Sequence, residues 1–167
     1  MNKGALWLWV RTGLLLALVD GLWAVVLSVG FYGSTFARLW QGVAAVPLGP
    51  GAMDGGTRTT LVGLLLHVAV AFTWSGVFVL LARQLPALRR AIGTVGGALV
   101  VAAVYGPFIW AVMSLVVIPT LTQRAPTITI RWWIQLLGHI AFVGMPIVLS
   151  VRAGLWRLAG GAARAFA

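Results

Sequence analysis

The chain has no cysteine and no glutamate, one lysine, and only two aspartates, Asp20 and Asp54. Without cysteine there is no disulfide, no thiolate metal site and no thiol nucleophile. Two isolated aspartates cannot supply the paired carboxylates of general acid–base chemistry. Charge is scarce as well. Charged residues make up 8% of the 167 positions and hydrophobic residues 61%, where a soluble domain carries about 25% charged residues. So little charge cannot cover a water-exposed surface, which excludes a soluble globular protein. So much apolar side chain excludes a disordered one. No Gly-rich loop carries a phosphate-binding lysine. The five serines, Ser28, Ser34, Ser75, Ser114 and Ser150, form no Ser–His–Asp pattern. The expectation is a protein that is not an enzyme.

What is abundant is the long apolar run. A bilayer core needs about 20 apolar residues per helix, and four segments qualify: residues 12–32, 60–82, 91–118 and 132–151. Arginines bound them, at Arg11, Arg58, Arg83, Arg90, Arg131 and Arg152. The first segment is too long for a cleaved signal peptide and is interrupted by Asp20, so it reads as a retained span. The fold class is therefore all-α: a single polytopic membrane domain of four transmembrane helices.

Four spans place both termini on one side. That side holds eight positive charges (Lys3, Arg11, Arg83, Arg89, Arg90, Arg152, Arg157, Arg164), and the other holds four (Arg38, Arg58, Arg124, Arg131). Positive charge is retained in the cytoplasm, so both termini are expected there, in a bacterial inner membrane. The arginines are divided between two faces, so the net charge of +10 reports topology and not nucleic-acid binding.

Residues 33–57 are more than a loop. Thr35 to Gln41 reads as a helical extension or interfacial helix, and Val46-Pro47-Leu48-Gly49-Pro50-Gly51 as a turn. The tail, 152–167, with Arg157 and Arg164 beside Trp156 and Phe166, reads as a short basic helix on the inner leaflet, frayed at Gly160-Gly161.

Rare residues recur at matched spacing. Tyr32-Gly33 and Tyr105-Gly106 are followed by Pro47 and Pro119, then by His67 and His139, with Arg58 and Arg131 upstream of each histidine. The spacings agree within one residue, so the four spans are expected as two tandem two-helix repeats, parallel to each other about a pseudo-twofold along the membrane normal. That symmetry puts His67 and His139 at one depth, about 12–14 Å into the bilayer at 1.5 Å per residue.

The Gly-rich first segment, His67 with Gly76, Tyr105-Gly106 with Trp110, Pro119, and Gly138-His139 with Gly144 together resemble the YagU-like small four-helix bacterial inner-membrane proteins and other families of that shape. The resemblance spans residues 13–150. It implies an inner-membrane location and a four-helix fold, and no particular activity. Gly144-Met145-Pro146 departs from its pattern and bears on the straightness of the fourth helix.

Intramembrane ionisable residues are costly and mark candidate sites. For His67 and His139 three readings stay open: helix–helix hydrogen bonds, the two axial ligands of a b-type haem with Arg58 or Arg131 on its propionates, and a proton or quinone role. Asp20 is expected to face the bundle, protonated, or paired with Arg11 or Arg83, or against a partner chain. Tyr32 and Tyr105 are further polar candidates, and Pro107 is expected to kink the third helix. Gly93, Gly97, Ala98, Ala102 and Gly106 form a small-residue stripe suited to close helix approach. Trp23, Trp74 and Trp110 lie well inside the spans and need acceptors.

These features leave three functions: a non-catalytic accessory subunit of a larger, energy-transducing membrane complex; a haem b electron-transfer protein; and a small transporter or proton-conducting protein. The expected partners are the lipid bilayer and other membrane subunits.

Overall fold

In the computed structural model, residues 3–164 are described, with side chains through Leu155. They are helical with short connections, and no strand occurs among them. Four helices are long and apolar enough to cross a membrane: Lys3–Phe31, Gly56–Gln84, Val95–Thr122 and Ile130–Leu155. At 26 to 29 residues each, they are roughly 40 Å long, which exceeds a ~30 Å hydrocarbon core; they tilt or project beyond it. Leu8 packs on Gly154, so the first and last spans meet at one end of the bundle. We call this the terminal end, and the opposite one the loop end.

The spans begin and end further out than charge alone suggests. The first helix starts at Lys3, so Arg11 lies within it. The Arg11 guanidinium donates to the Ser150 carbonyl and, at 3.2 Å, to its hydroxyl. The Thr12 hydroxyl meets the same Ser150 hydroxyl at 2.8 Å. These polar groups are satisfied across the first and fourth spans, so the charge does not stop the helix. The third segment, expected over 91–118, is shifted along the chain to Val95–Thr122. A short helix, Pro86–Ala91, precedes a break. The span proper starts at Val95, where the Thr94 hydroxyl caps it by accepting from Gly97 N–H at 3.0 Å. The fourth helix continues without interruption to Arg164, so no separate tail helix begins at 152 and the backbone does not fray at Gly160-Gly161. The side chains of Trp156, Arg157 and Arg164, and all of Phe166, lie outside the described residues.

Two of the spans contain wide, π-helical turns directly ahead of a proline. Met113–Val117 precedes Pro119, and Ile140–Gly144 precedes Pro146. Proline has no N–H for the carbonyl four residues back and its ring crowds that carbonyl; a widened turn relieves both. The departure at Pro146 thus becomes a local widening within a continuous helix. A third wide turn ends the first span at Val26–Phe31.

The small-residue stripe is used inside the bundle. Ala98 and Ala102 are fully buried. A Cβ placed on Gly106 would lie 2.0 Å from the His139 carbonyl oxygen, and one on Gly144 would lie 2.2 Å from that of Ala102. The third and fourth spans are therefore in backbone contact where only glycine fits. Trp23 is likewise satisfied within the chain: its indole N–H donates to the Gln135 side-chain oxygen at 3.0 Å, and its ring stacks on Phe142 at 4.4 Å.

The loop between the first two spans contains a real helix, Phe36–Leu48. Thr35 caps it by accepting from Arg38 N–H at 3.1 Å. Pro47 lies in its last turn, where only one hydrogen bond is lost, so the helix takes in Val46 to Leu48 and the expected turn begins at Gly49, which has φ +82°. It packs on the second span and not loosely on the lipid surface. Trp40 is 2% exposed, Gln41 donates to the Gly56 carbonyl at 3.1 Å, and a Cβ on Gly63 would overlap the Trp40 carbonyl at 1.8 Å. A single 3-10 turn, Pro50–Asp54, returns the chain to the second span.

Candidate functional site: an intramembrane cavity

The packing of helix Phe36–Leu48 against the spans forms a partly open cavity of about 470 Å³. Its walls come from all four spans and its roof from Leu39, Val43, Val46 and Pro47. The lining is apolar except at Asp20, His67, His139 and the indoles Trp74 and Trp110. Asp20 lies 11 residues before Phe31, His67 11 after Gly56, and His139 9 after Ile130. At 1.5 Å per residue these offsets are about 14–17 Å, so three helices bring three ionisable groups to one level near mid-span.

The hydrogen bonds assign the protons. His67 Nε2 is 2.9 Å from the Ala17 carbonyl. A carbonyl only accepts, so this nitrogen carries the hydrogen. The other ring nitrogen, Nδ1, faces Asp20 Oδ2 at 3.9 Å. Two bare acceptors would repel there, so the favourable state of the pair holds one proton, on the carboxyl or on the imidazole. At 3.9 Å the contact is longer than a hydrogen bond. His139 is 8% exposed. Its Nδ1 donates to the Gln135 carbonyl one turn back at 2.7 Å, leaving Nε2 as an acceptor in the neutral ring. Asp20 thus pairs with His67 and not with Arg11, which is bound to Ser150, nor with Arg83, which lines a separate groove near Trp9.

Each histidine lies against a tryptophan. The Trp40 and His67 rings are 5.0 Å apart at 54°, and the Trp110 and His139 rings 4.9 Å apart at 46°. Both indole N–H groups, Trp40 Nε1 and Trp110 Nε1, are buried without a hydrogen-bond partner among the described residues. Sequence reading placed Trp110 inside a span but missed its pairing, and missed the role of Trp40. The available signal was Leu39, Trp40, Val43 and Ala44 behind a Thr35 cap, an amphipathic helical pattern.

The tyrosines lie elsewhere. Tyr32 ends the first span, with the Arg131 guanidinium 4.5 Å above its ring. Buried Tyr105 donates to the Trp74 carbonyl at 2.9 Å and packs on Phe78 at 4.8 Å. Neither lines the cavity.

No family model, curated protein or solved structure matches this chain.

A bis-histidine haem needs one free nitrogen from each ring directed at one iron. His139 has the form of such a ligand, with Nδ1–H held by a carbonyl and Nε2 unengaged. His67 does not, because Nε2 donates to Ala17 and Nδ1 faces Asp20. No arginine or lysine lines the cavity to meet propionates. Arg131 instead donates to Ser28 at 2.9 Å, and Arg58 is exposed. The residues present do not fit a haem.

Proposed function

We propose that this protein binds a membrane-soluble molecule with a compact hydroxyl-bearing head, of the quinol class, in the cavity beneath helix Phe36–Leu48. One observation carries the reading: Asp20, His67 and His139 converge on a single, otherwise apolar chamber. Ligand sites of this kind combine apolar walls with a few convergent polar groups. The polar groups here include a proton-sharing pair and a histidine with an acceptor nitrogen. That set suits hydroxyls that donate, with an apolar tail along Leu66, Val70 and Met113. The same groups would handle the proton of such a ligand, which retains the proton-linked role among the readings of the sequence. A non-catalytic accessory role in a larger complex is compatible with ligand binding; of the third-span stripe, Ala98, Ala102 and Gly106 are packed inside the bundle.

In this reading the protein sits in a bacterial inner membrane with both termini cytoplasmic, supported by the eight-to-four division of positive charge. It also consists of two tandem repeats. The similar ring pairs Trp40–His67 and Trp110–His139 support this, with the histidines 72 residues apart and the tryptophans 70. The 72-residue spacing lays helix Phe36–Leu48 over residues 108–120, so the counterpart of the roof helix is the loop-end half of the third span.

The test is a tryptophan-quenching titration of the purified protein in nanodiscs with a short-chain ubiquinol analogue. Saturable quenching that weakens in Asp20→Asn and His139→Gln is the expected result. Linear quenching, identical in wild type and both variants, would mean partition into lipid only and would sink the proposal.

A further inference from the structure

A second cavity, of about 450 Å³, lies at the loop end between the third and fourth spans and the segment joining them. Its lining is of a different character. Arg124 and Arg131 line it, neither aspartate does, and Thr122, Thr127 and Thr129 add hydroxyls. We infer that this vestibule is a phosphate-binding site, built to take the phosphate group of a lipid head or a free phosphate at the membrane surface.

Three features prepare the site before any ligand arrives. Arg131 is held by its bond to Ser28 and by the Tyr32 ring. The apolar wall is fixed by a relay in which Trp132 N–H donates to the Ser114 hydroxyl at 2.9 Å and that hydroxyl donates to the Trp110 carbonyl at 2.7 Å. The fourth span begins here with no side chain capping its first turn; Thr129 at that position makes no side-chain cap bond. Of its leading N–H groups, that of Trp132 turns back to the Thr129 carbonyl at 3.0 Å, so those of Ile130 and Arg131, with the positive dipole end, stay available to an anion.

Arg124 has no hydrogen bond, ion pair or ring contact among the described residues. Two guanidinium groups of like charge around one space, with no carboxylate between them, are disfavoured until an anion joins them. Arginine's planar fork suits the oxygens of a phosphate. The position also suits a phosphate: Trp132 and half-exposed Trp133 mark the depth where indoles meet the headgroup layer. The vestibule shares Trp110 and Ile118 with the Asp20–His139 chamber, but its chemistry is separate and does not depend on the quinol reading.

The experiment uses the full chain in a non-ionic detergent and follows indole fluorescence during titration with two probes. One is inorganic phosphate and the other is dihexanoyl phosphatidylglycerol, a monomeric lipid that carries the same group. Saturation by inorganic phosphate identifies the free ion as a sufficient ligand. Saturation by the lipid alone identifies the headgroup with its chains. Either supports the proposal, provided that Arg124→Gln weakens binding about tenfold, as loss of one charge-assisted contact predicts. Arg131→Gln risks loosening the first span, so Arg124→Gln carries the test. No saturation by either probe, or an Arg124→Gln protein that binds like wild type, overturns it. The quinol titration on Arg124→Gln is expected to be unchanged, so a failure of one site is not mistaken for a failure of the other.

Discussion

Asp20 on the first span and His67 on the second face each other at 3.9 Å, with the far nitrogen of the same imidazole donating to the Ala17 carbonyl. The first span thus holds both sides of one histidine ring: a carbonyl one turn before Asp20 takes its hydrogen, and the carboxyl faces its other nitrogen. Asp20→Asn preserves this, because the amide nitrogen can donate to Nδ1, and its melting temperature is expected close to wild type. Asp20→Ala removes the partner and is expected to cost about 1–3 kcal/mol. Thermal unfolding in one detergent compares the two; equal losses would show that the pair is not what Asp20 supplies.

Gly63 is the contact on which the roof helix rests. A methyl there would overlap the Trp40 carbonyl, so Gly63→Ala is expected to lift helix Phe36–Leu48 and cost roughly 1–3 kcal/mol as overpacking. The chain has no cysteine, which makes a single-thiol reporter clean. Leu39→Cys, which lines the chamber, is expected to react faster with a thiol reagent when Gly63 is changed. An unchanged rate would mean that the roof does not depend on this contact.

Gly106→Ala tests the third-to-fourth-span interface in the same way, but its consequence reaches the site. The added Cβ would press on the His139 carbonyl, beside the widened turn Ile140–Gly144. Loss of roughly 1–3 kcal/mol is expected together with weaker ligand quenching. Stability loss with full binding would separate the interface from the site.

Trp23 and Gln135 connect the first and fourth spans through a hydrogen bond of 3.0 Å. A double-mutant cycle of Trp23→Phe with Gln135→Leu is expected to give a coupling of about 0.6 kcal/mol, with ~1.7 kcal/mol as the upper end for polar pairs in membrane helices. Unfolding equilibria in mixed micelles measure it, and strict additivity would refute the bond.

Orientation is tested by single cysteines at Gly51, in the 3-10 turn after the roof helix, and at Leu85, between the second span and helix Pro86–Ala91. In intact cells an impermeant maleimide is expected to label Gly51→Cys and not Leu85→Cys. The reverse pattern would invert the topology.

The four spans were legible in the one-dimensional text because an uninterrupted apolar stretch of bilayer length has few alternatives to a membrane helix. Ends were less legible. Arg11 reads as a boundary, yet the long side chain reaches Ser150 on another span, so the helix carries the charge inside its length. The partner of Asp20 was not legible at all. Arg11 and Arg83 were the cations at hand along the sequence, and which side chain meets the carboxyl depends on how the first two spans are rotated against each other. That rotation is set by close approaches spread along the whole interface, such as Gly13 under Phe72 and Gly76 under Trp9, none of which is encoded near Asp20. The same holds for Trp40, whose pairing with His67 depends on the absence of a side chain at Gly63. Apolar length is a property of a segment and can be read from it. The placing of a proton donor opposite an acceptor belongs to several segments at once, and it exists only when their surfaces interlock.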